Sequence, residues 1–287
     1  MVKIYNCFLF NNELDILELH LAEMYDHVDW FVIGEANRTF KGEPKSYNLL
    51  DNWDRFAPWH DKIRRIQIDT VAHPDPWVNE DLDREFLKHG LHDADDWDII
   101  ICADADEIQS STALANMRKL TQAWHFALNG VQFCGKLNWM MKEWSTTDGL
   151  RIVWHTQGRA TRYKHLGMMN DLRRLKGHQN NDNEWVVWHA GWHFSFLGNN
   201  EFFNQKIKTF DYTWLGDYAG QPIDVDKCIE SGKIFDGDAK FELVKVNSYF
   251  PKTILNNLDR WSKYIVFKDG LRDVRNILNP KLPLIED

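Results

Sequence analysis

The segment that most constrains this chain runs Trp97-Asp98-Ile99-Ile100-Ile101-Cys102-Ala103-Asp104-Ala105-Asp106-Glu107. Four consecutive apolar residues, three of them β-branched, leave no polar face, which predicts a strand buried on both sides as in a parallel sheet. Ligands of open α/β sheets bind beyond the carboxyl ends of such strands. Asp104 and Asp106 therefore stand where a ligand is expected. Being two residues apart, they can be aimed by one short turn at a hard cation whose free positions take phosphate oxygens. The plain alternative is a solvated strand-to-helix turn with an N-capping Asp.

Segments on either side extend the pattern. Lys3 to Phe10 reads as a strand. Leu14, Leu17, Leu21 and Met24 form an amphipathic helical stripe, and Trp30 to Ile33 reads as a second strand. This β-α-β order predicts a parallel pair with a right-handed crossover. A third strand is expected over Ile63 to Ile68, a helix over Leu82 to Leu91, and a fourth strand at Ile99 to Cys102, which together argue for an α/β fold. In the second half Val131 to Phe133, Leu150 to Trp154 and Glu184 to Phe196 read as strands of mixed direction. Helices alternate with loops from Asn200 onward, and Pro280 and Pro283 mark a C-terminal tail.

At 287 residues, without a Pro/Gly/Ser-rich linker, repeat or low-complexity tract, a single domain over 1–287 is the simplest organisation. The net charge of −9 argues against a nucleic acid partner. Cys7, Cys102, Cys134 and Cys228 are far apart and form no C-x-x-C pair, which fits a reducing compartment and gives no zinc site. No secretory h-region and no apolar stretch of membrane-spanning length is seen. Fourteen tryptophans are a heavy load. Any one of them is best read as core, whereas the excess suits the C–H faces of sugar rings.

If Trp188 to Ser195 is extended, Trp188, Ala190, Trp192 and Phe194 share one face, and His189, Gly191, His193 and Ser195 the other. That arrangement suits a strand lining a cleft, with His193 as the ligand candidate and His189 as a core residue. The basic stretch Arg159, Arg162, Lys164, Arg173, Arg174 and Lys176 reads mainly as solvated surface, with phosphate holding as the functional alternative. A parallel sheet, an Asp-x-Asp pair and an aromatic-rich second half suit a nucleotide-sugar transferase. In that class a cation neutralises the diphosphate leaving group, and a carboxylate deprotonates the attacking hydroxyl.

Several ordered blocks carry a resemblance to a known family. They are Phe8 to Glu18 with Val28 to Ile33, Glu35-Ala36-Asn37-Arg38-Thr39-Phe40-Lys41-Gly42-Glu43-Pro44, Ala103 to Ile108, Ala190 to Ser195, and Phe235-Asp236-Gly237. Together these blocks, spread from about residue 3 to about 265, resemble glycosyltransferase family 17, the bisecting N-acetylglucosaminyltransferases. The likeness is thinnest from Leu137 to Glu184. It implies a GT-A-like fold, with a Rossmann-type, mostly parallel central sheet flanked by helices and a mixed second half. A nucleotide-sugar half over about 1–110, an acceptor half over about 111–265 and a tail over about 266–287 are expected.

The resemblance further implies inverting transfer from a UDP-sugar, usually UDP-GlcNAc, to a glycan acceptor, with Mn²⁺ or Mg²⁺. Asp104 and Asp106 match the metal motif, with Asp106 expected to ligate directly and Asp104 to face the ribose or a metal-bound water. Glu35, Asn37 and Thr39 match the end of the second strand, where related folds hold uracil and ribose. Arg84 is expected to reach the donor phosphate, the plain alternative being a surface pair with Asp81 or Glu85. His193 is expected to complete the metal or diphosphate contacts. Asp217 and Asp236 are the preferred candidates for the general base, ahead of Glu143. Animal family members carry a membrane anchor; none is seen here, which fits a cytoplasmic enzyme of bacterial or viral type, or a shortened chain, and leaves the acceptor open. Other classes considered are a non-catalytic carbohydrate-binding protein on the same scaffold and a metal phosphohydrolase, for which Ile108 stands where Thr is wanted. A nucleotidyltransferase would need a Gly-rich loop where Asn11-Asn12-Glu13 stands.

Overall fold

A computed structural model describes residues 2–145, 151–152, 154–175, 184–209, 222–234 and 239–278. In chain order the first elements are β1 (Ile4–Leu9), α1 (Leu14–Met24), β2 (Trp30–Ala36), α2 (Asn48–Asp51), β3 (Ile63–Ile68), α3 (Pro76–Phe86), β4 (Ile99–Cys102), β5 (Glu107–Gln109) and α4 (Ser111–Lys119). There follow β6 (His125–Cys134), β7 (Trp139–Ser145), β8 (Arg151–Ile152), β9 (Trp154–Arg162), α5 (Met169–Arg173), β10 (Glu184–Val187) and β11 (Gly191–Ser195). The last are α6 (Asn200–Thr209), α7 (Val225–Ser231), β12 (Lys240–Leu243), α8 (Lys252–Leu255) and α9 (Leu258–Trp261). The class is mixed α/β. The chain divides into two compact units, one of residues 1–129 and 156–191, the other of residues 130–155 and 192–286. The units are therefore not halves of the sequence, because segment 156–191 returns to the first.

In the first unit β1 pairs in parallel with β2 and β4, and β2 pairs in parallel with β3. β9 runs antiparallel along the far side of β4, with Cys102 opposite Arg159. Ile99, Ile100, Ile101 and Cys102 are fully buried. Burial of side chains this size is worth about 1.5–3 kcal/mol each for the isoleucines, relative to exposure. A run that is apolar on both faces does not fix its own register. Asp98 supplies the missing constraint by accepting the Lys3 N–H at 2.7 Å and the Asp95 N–H at 3.0 Å. The strand is thereby pinned at its start, and Asp104 emerges at a fixed place.

The helix expected over Leu82–Leu91 begins earlier. Asp75 caps α3 by accepting the Trp77 N–H at 3.0 Å, with Pro76 in the first turn, and α3 ends at Phe86. A 3₁₀ segment, Leu87–Leu91, follows and packs Leu87 and Leu91 into the core. Hydrophobic periodicity misplaces this helix because its buried face is polar. Asn79, Asp83 and Arg84 point inward, while Trp77 and Leu82 are exposed. α5 is seated on that same core by Met169 and Leu172, one turn apart, which touch the cluster of Tyr5, Cys7, Ile100 and Cys102. Asp81 of α3 accepts from the Asn170 amide and from Arg174, and Glu85 accepts the Met169 N–H.

Within the second unit β7 runs antiparallel to both β6 and β12, and β11 pairs in parallel with the end of β6. Neither β7 nor β12 was legible as a strand; from Asn200 only helices and loops were expected, and Lys240–Leu243 departs from that. The extended run expected from Glu184 to Phe196 is interrupted, because His189 adopts φ 53°. The alternating face therefore begins only at Gly191. Trp139, Phe203, Val225 and Phe241 build this unit's core. Among the tryptophans, Trp139, Trp192 and Trp261 are buried, while Trp77, Trp97 and Trp124 are exposed. Trp97 carries the Lys164 ammonium on its ring face, and Trp124 stacks on His165. Among the described residues no helix is long and apolar enough to cross a membrane.

Candidate active site

β4 ends in a turn that is tied to itself. The Asp104 N–H donates to Glu107 Oε2 at 2.8 Å, and the Glu107 N–H donates to the Asp104 carbonyl at 3.0 Å. Glu107 Oε2 also accepts the Gly158 N–H of β9 at 3.0 Å and Arg173 Nη1 at 2.7 Å. Its carboxylate is almost fully buried, and these donors satisfy it. Beneath the turn lies a buried polar group on the apolar face of α1. His20 Nδ1 lies 2.9 Å from the Ala105 carbonyl, which can only accept, so Nδ1 carries the proton. His20 Nε2 then accepts from Asn6 Nδ2 at 3.0 Å, and Asn6 also donates to Gln109 Oε1 at 3.2 Å. Burial pushes the His20 pKa down to about 4, which keeps the imidazole neutral in this role.

Two guanidiniums converge on Asp104. Arg84 Nη2 is 2.7 Å from Oδ1 and Arg173 Nη2 is 2.8 Å from Oδ2. Arg84 is buried and further held by Glu80 Oε1 at 2.7 Å and by the Ala103 carbonyl at 3.4 Å. The surface pairing with Asp81 or Glu85 is thus replaced by Glu80 and Asp104. Burial raises the Asp104 pKa, but Arg173 and Arg84 outweigh it and hold the carboxyl well below the usual range. Burial likewise opposes the Arg173 charge, and Asp104 and Glu107 more than compensate, so its pKa moves up. Nearby Arg159 goes the other way: burial, and secondarily the charge of Arg173, push it down to about 10.

At the carboxyl end of β2 the three matched residues have different surroundings. Glu35 is fully buried and accepts the Leu49 N–H of α2 at 2.6 Å and Arg65 Nε at 3.0 Å. Thr39 closes a local turn, its Oγ1 accepting the Glu43 N–H at 3.2 Å. Asn37 is exposed, with its backbone paired to Ile68 and Lys45. Arg38, between them, enters a buried ion pair with Asp83 at 2.9 Å and also donates to Thr70, which joins this loop to α3. His193 lies on β11 in the second unit, half-buried and in register with Gln132. Glu143, also of that unit, pairs with Lys240 at 3.4 Å. Asp217 and Asp236 lie outside the described residues.

Among the described residues no group of three His, Cys, Asp or Glu side chains is placed to hold a metal ion. Asp104 and Asp106 still offer the hard oxygen donors that Mg²⁺ and Mn²⁺ prefer. One or two carboxylates suffice when substrate phosphates complete the shell, so the residues fit a cation that arrives with a phosphate group. Arg84, expected from sequence, is brought to Asp104. Glu107 and His20 join the site without having been expected from the sequence, and Arg173, expected mainly at the surface, is drawn into it. The signals available for the first two were a third acid directly after the Asp-x-Asp pair and a histidine on the stripe of Leu17, Leu21 and Met24.

A site of this makeup suits a ligand carrying phosphate oxygens, and comparison puts the chain among the glycosyltransferases. Residues 1–215 match glycosyltransferase family 17, and the chain belongs to that family. The chain is 27% identical over 293 aligned residues to the human beta-1,4-mannosyl-glycoprotein 4-beta-N-acetylglucosaminyltransferase, an alignment covering 90% of this chain and 54% of that protein. The rat protein of the same name gives the same identity and coverage, and the mouse protein is 26% identical. The chain thus spans about half the length of the curated relatives it matches.

Proposed function

We propose that this chain transfers a sugar, N-acetylglucosamine in the first instance, from a UDP-sugar to a hydroxyl of a glycan, on a GT-A-type scaffold and with inversion at the anomeric carbon. The observation that carries this reading is the meeting of Asp104 with Arg84 and Arg173 at the end of a buried strand. Carboxylates suited to a cation and guanidiniums suited to a diphosphate occupy one place. Family membership and the names of the relatives supply the donor sugar.

Asp104 and Asp106 would hold Mn²⁺ or Mg²⁺, which when bound supplies Lewis-acid stabilisation of the leaving group. Arg84 and Arg173 bind diphosphate oxygens through charge-assisted hydrogen bonds. Glu107 and His20 fix the turn from below, so the carboxylates need not reorganise as charge builds on the leaving oxygen. Asn37, the exposed member of the β2 set, faces the nucleoside. Asp217 or Asp236 takes the proton of the acceptor hydroxyl.

The test is thermal stability across UDP, UDP-GlcNAc, GDP and ADP, with and without Mn²⁺, followed by UDP release with a glycan acceptor. A ligand at about 100 times its Kd stabilises by roughly 2.7 kcal/mol. A Mn²⁺-dependent shift confined to the uridine ligands, with UDP release abolished in Asp106→Ala, is expected. Product that keeps the donor's anomeric configuration would refute single displacement. The absence of any nucleotide shift would leave a carbohydrate-binding protein on a transferase scaffold.

A further inference from the structure

We infer that Arg173 is a latch on the cation site: it occupies Asp104 in the ligand-free protein and is drawn away by the donor diphosphate, so cation and nucleotide bind with positive coupling. This inference rests on the UDP-sugar reading and adds a regulatory property to the same site.

The geometry is that of a bridge. One nitrogen of the Arg173 fork is 2.7 Å from Glu107 Oε2 and the other 2.8 Å from Asp104 Oδ2. With Arg84 on Oδ1, each oxygen of Asp104 already carries a guanidinium N–H. A cation that approaches without phosphate therefore meets two guanidinium charges and competes with them for the same carboxylate.

The two arginines are unequal in their freedom to leave. Arg84 is 5% exposed and is held in addition by Glu80 and the Ala103 carbonyl. The Arg173 side chain is 20% exposed and sits at the last residue of a five-residue helix. Among the described residues its hydrogen-bond partners are the turn's two carboxylates, whereas Glu107 Oε2 keeps the Asp104 and Gly158 N–H groups when Arg173 departs. Release of Arg173 leaves Glu107 Oε2 with two N–H donors, takes from Oε1 its 3.4 Å contact, frees one oxygen of Asp104, and supplies a guanidinium fork matched to phosphate oxygens. Coupling of this kind is reciprocal: if UDP tightens the cation, the cation tightens UDP by the same factor.

The experiment measures Mn²⁺ binding to the full chain by loss of the free-ion electron paramagnetic resonance signal, with and without UDP, alongside calorimetric titration of UDP with and without Mn²⁺. Wild type, Arg173→Ala, Arg173→Lys and Arg174→Ala are compared, each checked for cooperative unfolding. Arg174 carries the neighbouring charge but pairs with Asp81, so it serves as the control. In wild type each ligand is expected to tighten the other by roughly 5- to 150-fold, the usual range for coupled sites. In Arg173→Ala, Mn²⁺ alone binds at least about 5-fold tighter, because Asp104 is released, and the coupling factor falls by a similar ratio. UDP itself binds more weakly, and Arg174→Ala behaves as wild type. Arg173→Lys, which keeps the charge but cannot span two carboxylates, moves in the same direction as Arg173→Ala. It also decides the matter if the alanine variant does not fold.

Unchanged or weaker Mn²⁺ binding in Arg173→Ala, in a protein whose wild type still binds UDP with Mn²⁺, overturns the latch alone. An effect seen in Arg173→Ala but absent in Arg173→Lys reduces it to bulk charge and overturns it as well. Failure of the wild type to bind UDP with Mn²⁺ overturns the donor reading, and the latch with it.

Discussion

Gly191 offers the sharpest quantitative test of how the site is supported. Its backbone passes against β5, the strand that leaves the Asp104–Glu107 turn, and it has φ 152°, a conformation that residues with a Cβ rarely adopt. A Cβ placed there overlaps the Ile108 carbonyl oxygen, and lies 2.8 Å from Gln109 Cα and 2.9 Å from the Ile108 carbonyl carbon. Ordinary C···O contacts lie at about 3.3–3.6 Å, and all the atoms struck belong to backbone, so no side chain can swing aside. Gly191→Ala therefore carries a dihedral cost of about 1–3 kcal/mol and an overpacking cost of about 1–3 kcal/mol. A destabilisation of at least about 2 kcal/mol is expected, lowering Tm by roughly 4 °C or more at ~2 °C per kcal/mol. Urea unfolding of Gly191→Ala measures it against Gly167→Ala, where a Cβ meets nothing within 4 Å and the change should stay within about 0.5 kcal/mol. If Gly191→Ala matches Gly167→Ala, β5 is free to yield, and the argument that the turn is held rigidly from this side is wrong.

Three further outcomes are expected. His20 is neutral and buried with a folded pKa near 4, below its unfolded value, so protons favour the unfolded chain. Stability should decline as pH falls from about 6.5 towards 4, by roughly 3 kcal/mol from this residue; urea midpoints across that window should fall less steeply in His20→Asn, and an unchanged slope would refute the assignment. Asp83→Ala strands the buried Arg38 and should cost about 3 kcal/mol or more in chemical denaturation, with Asp83→Asn clearly milder because its amide oxygen still accepts from Arg38; equal effects would mean that the charge, which both variants remove, is all that joins the two. Arg84→Ala should weaken calorimetric UDP binding by about 10- to 100-fold, the loss of one charge-assisted contact; unchanged affinity would remove Arg84 from the donor site.

The parts of the fold legible in the sequence are those where one residue pattern has one physical meaning. The run Ile99 to Cys102 is the clearest, because only a strand with neighbours on both sides buries all four residues. The α1 stripe and β3 follow from the same kind of periodicity. α3 was displaced because its inward residues are polar, serving Arg38 and Asp104 rather than an apolar core, so hydrophobic spacing marked the wrong stretch. Arg173 was ambiguous because its partners lie 66 and 69 residues away, on the turn, and nothing local distinguishes it from Arg174, which pairs at the surface. β12 escaped notice since Lys240-Phe241-Glu242-Leu243 is short and charged, and only its antiparallel register with β7 defines it. The break at His189 is invisible to the alternating pattern, which cannot reveal a single residue of positive φ.

The antiparallel closure of β9 on β4 also bears on how the protein is made. β1 precedes β4 in the chain and is available to pair with it, but the other edge of β4 has no partner until Arg159 has been synthesised, roughly 60 residues later. At ~5–20 residues per second, translation leaves that edge unpaired for roughly 3–12 s. During this time an unbroken Ile-Ile-Ile-Cys ribbon can recruit strands from neighbouring nascent chains. The strand that delivers the Asp-x-Asp turn is thus also an edge that ribosome-bound chains expose until β9 arrives.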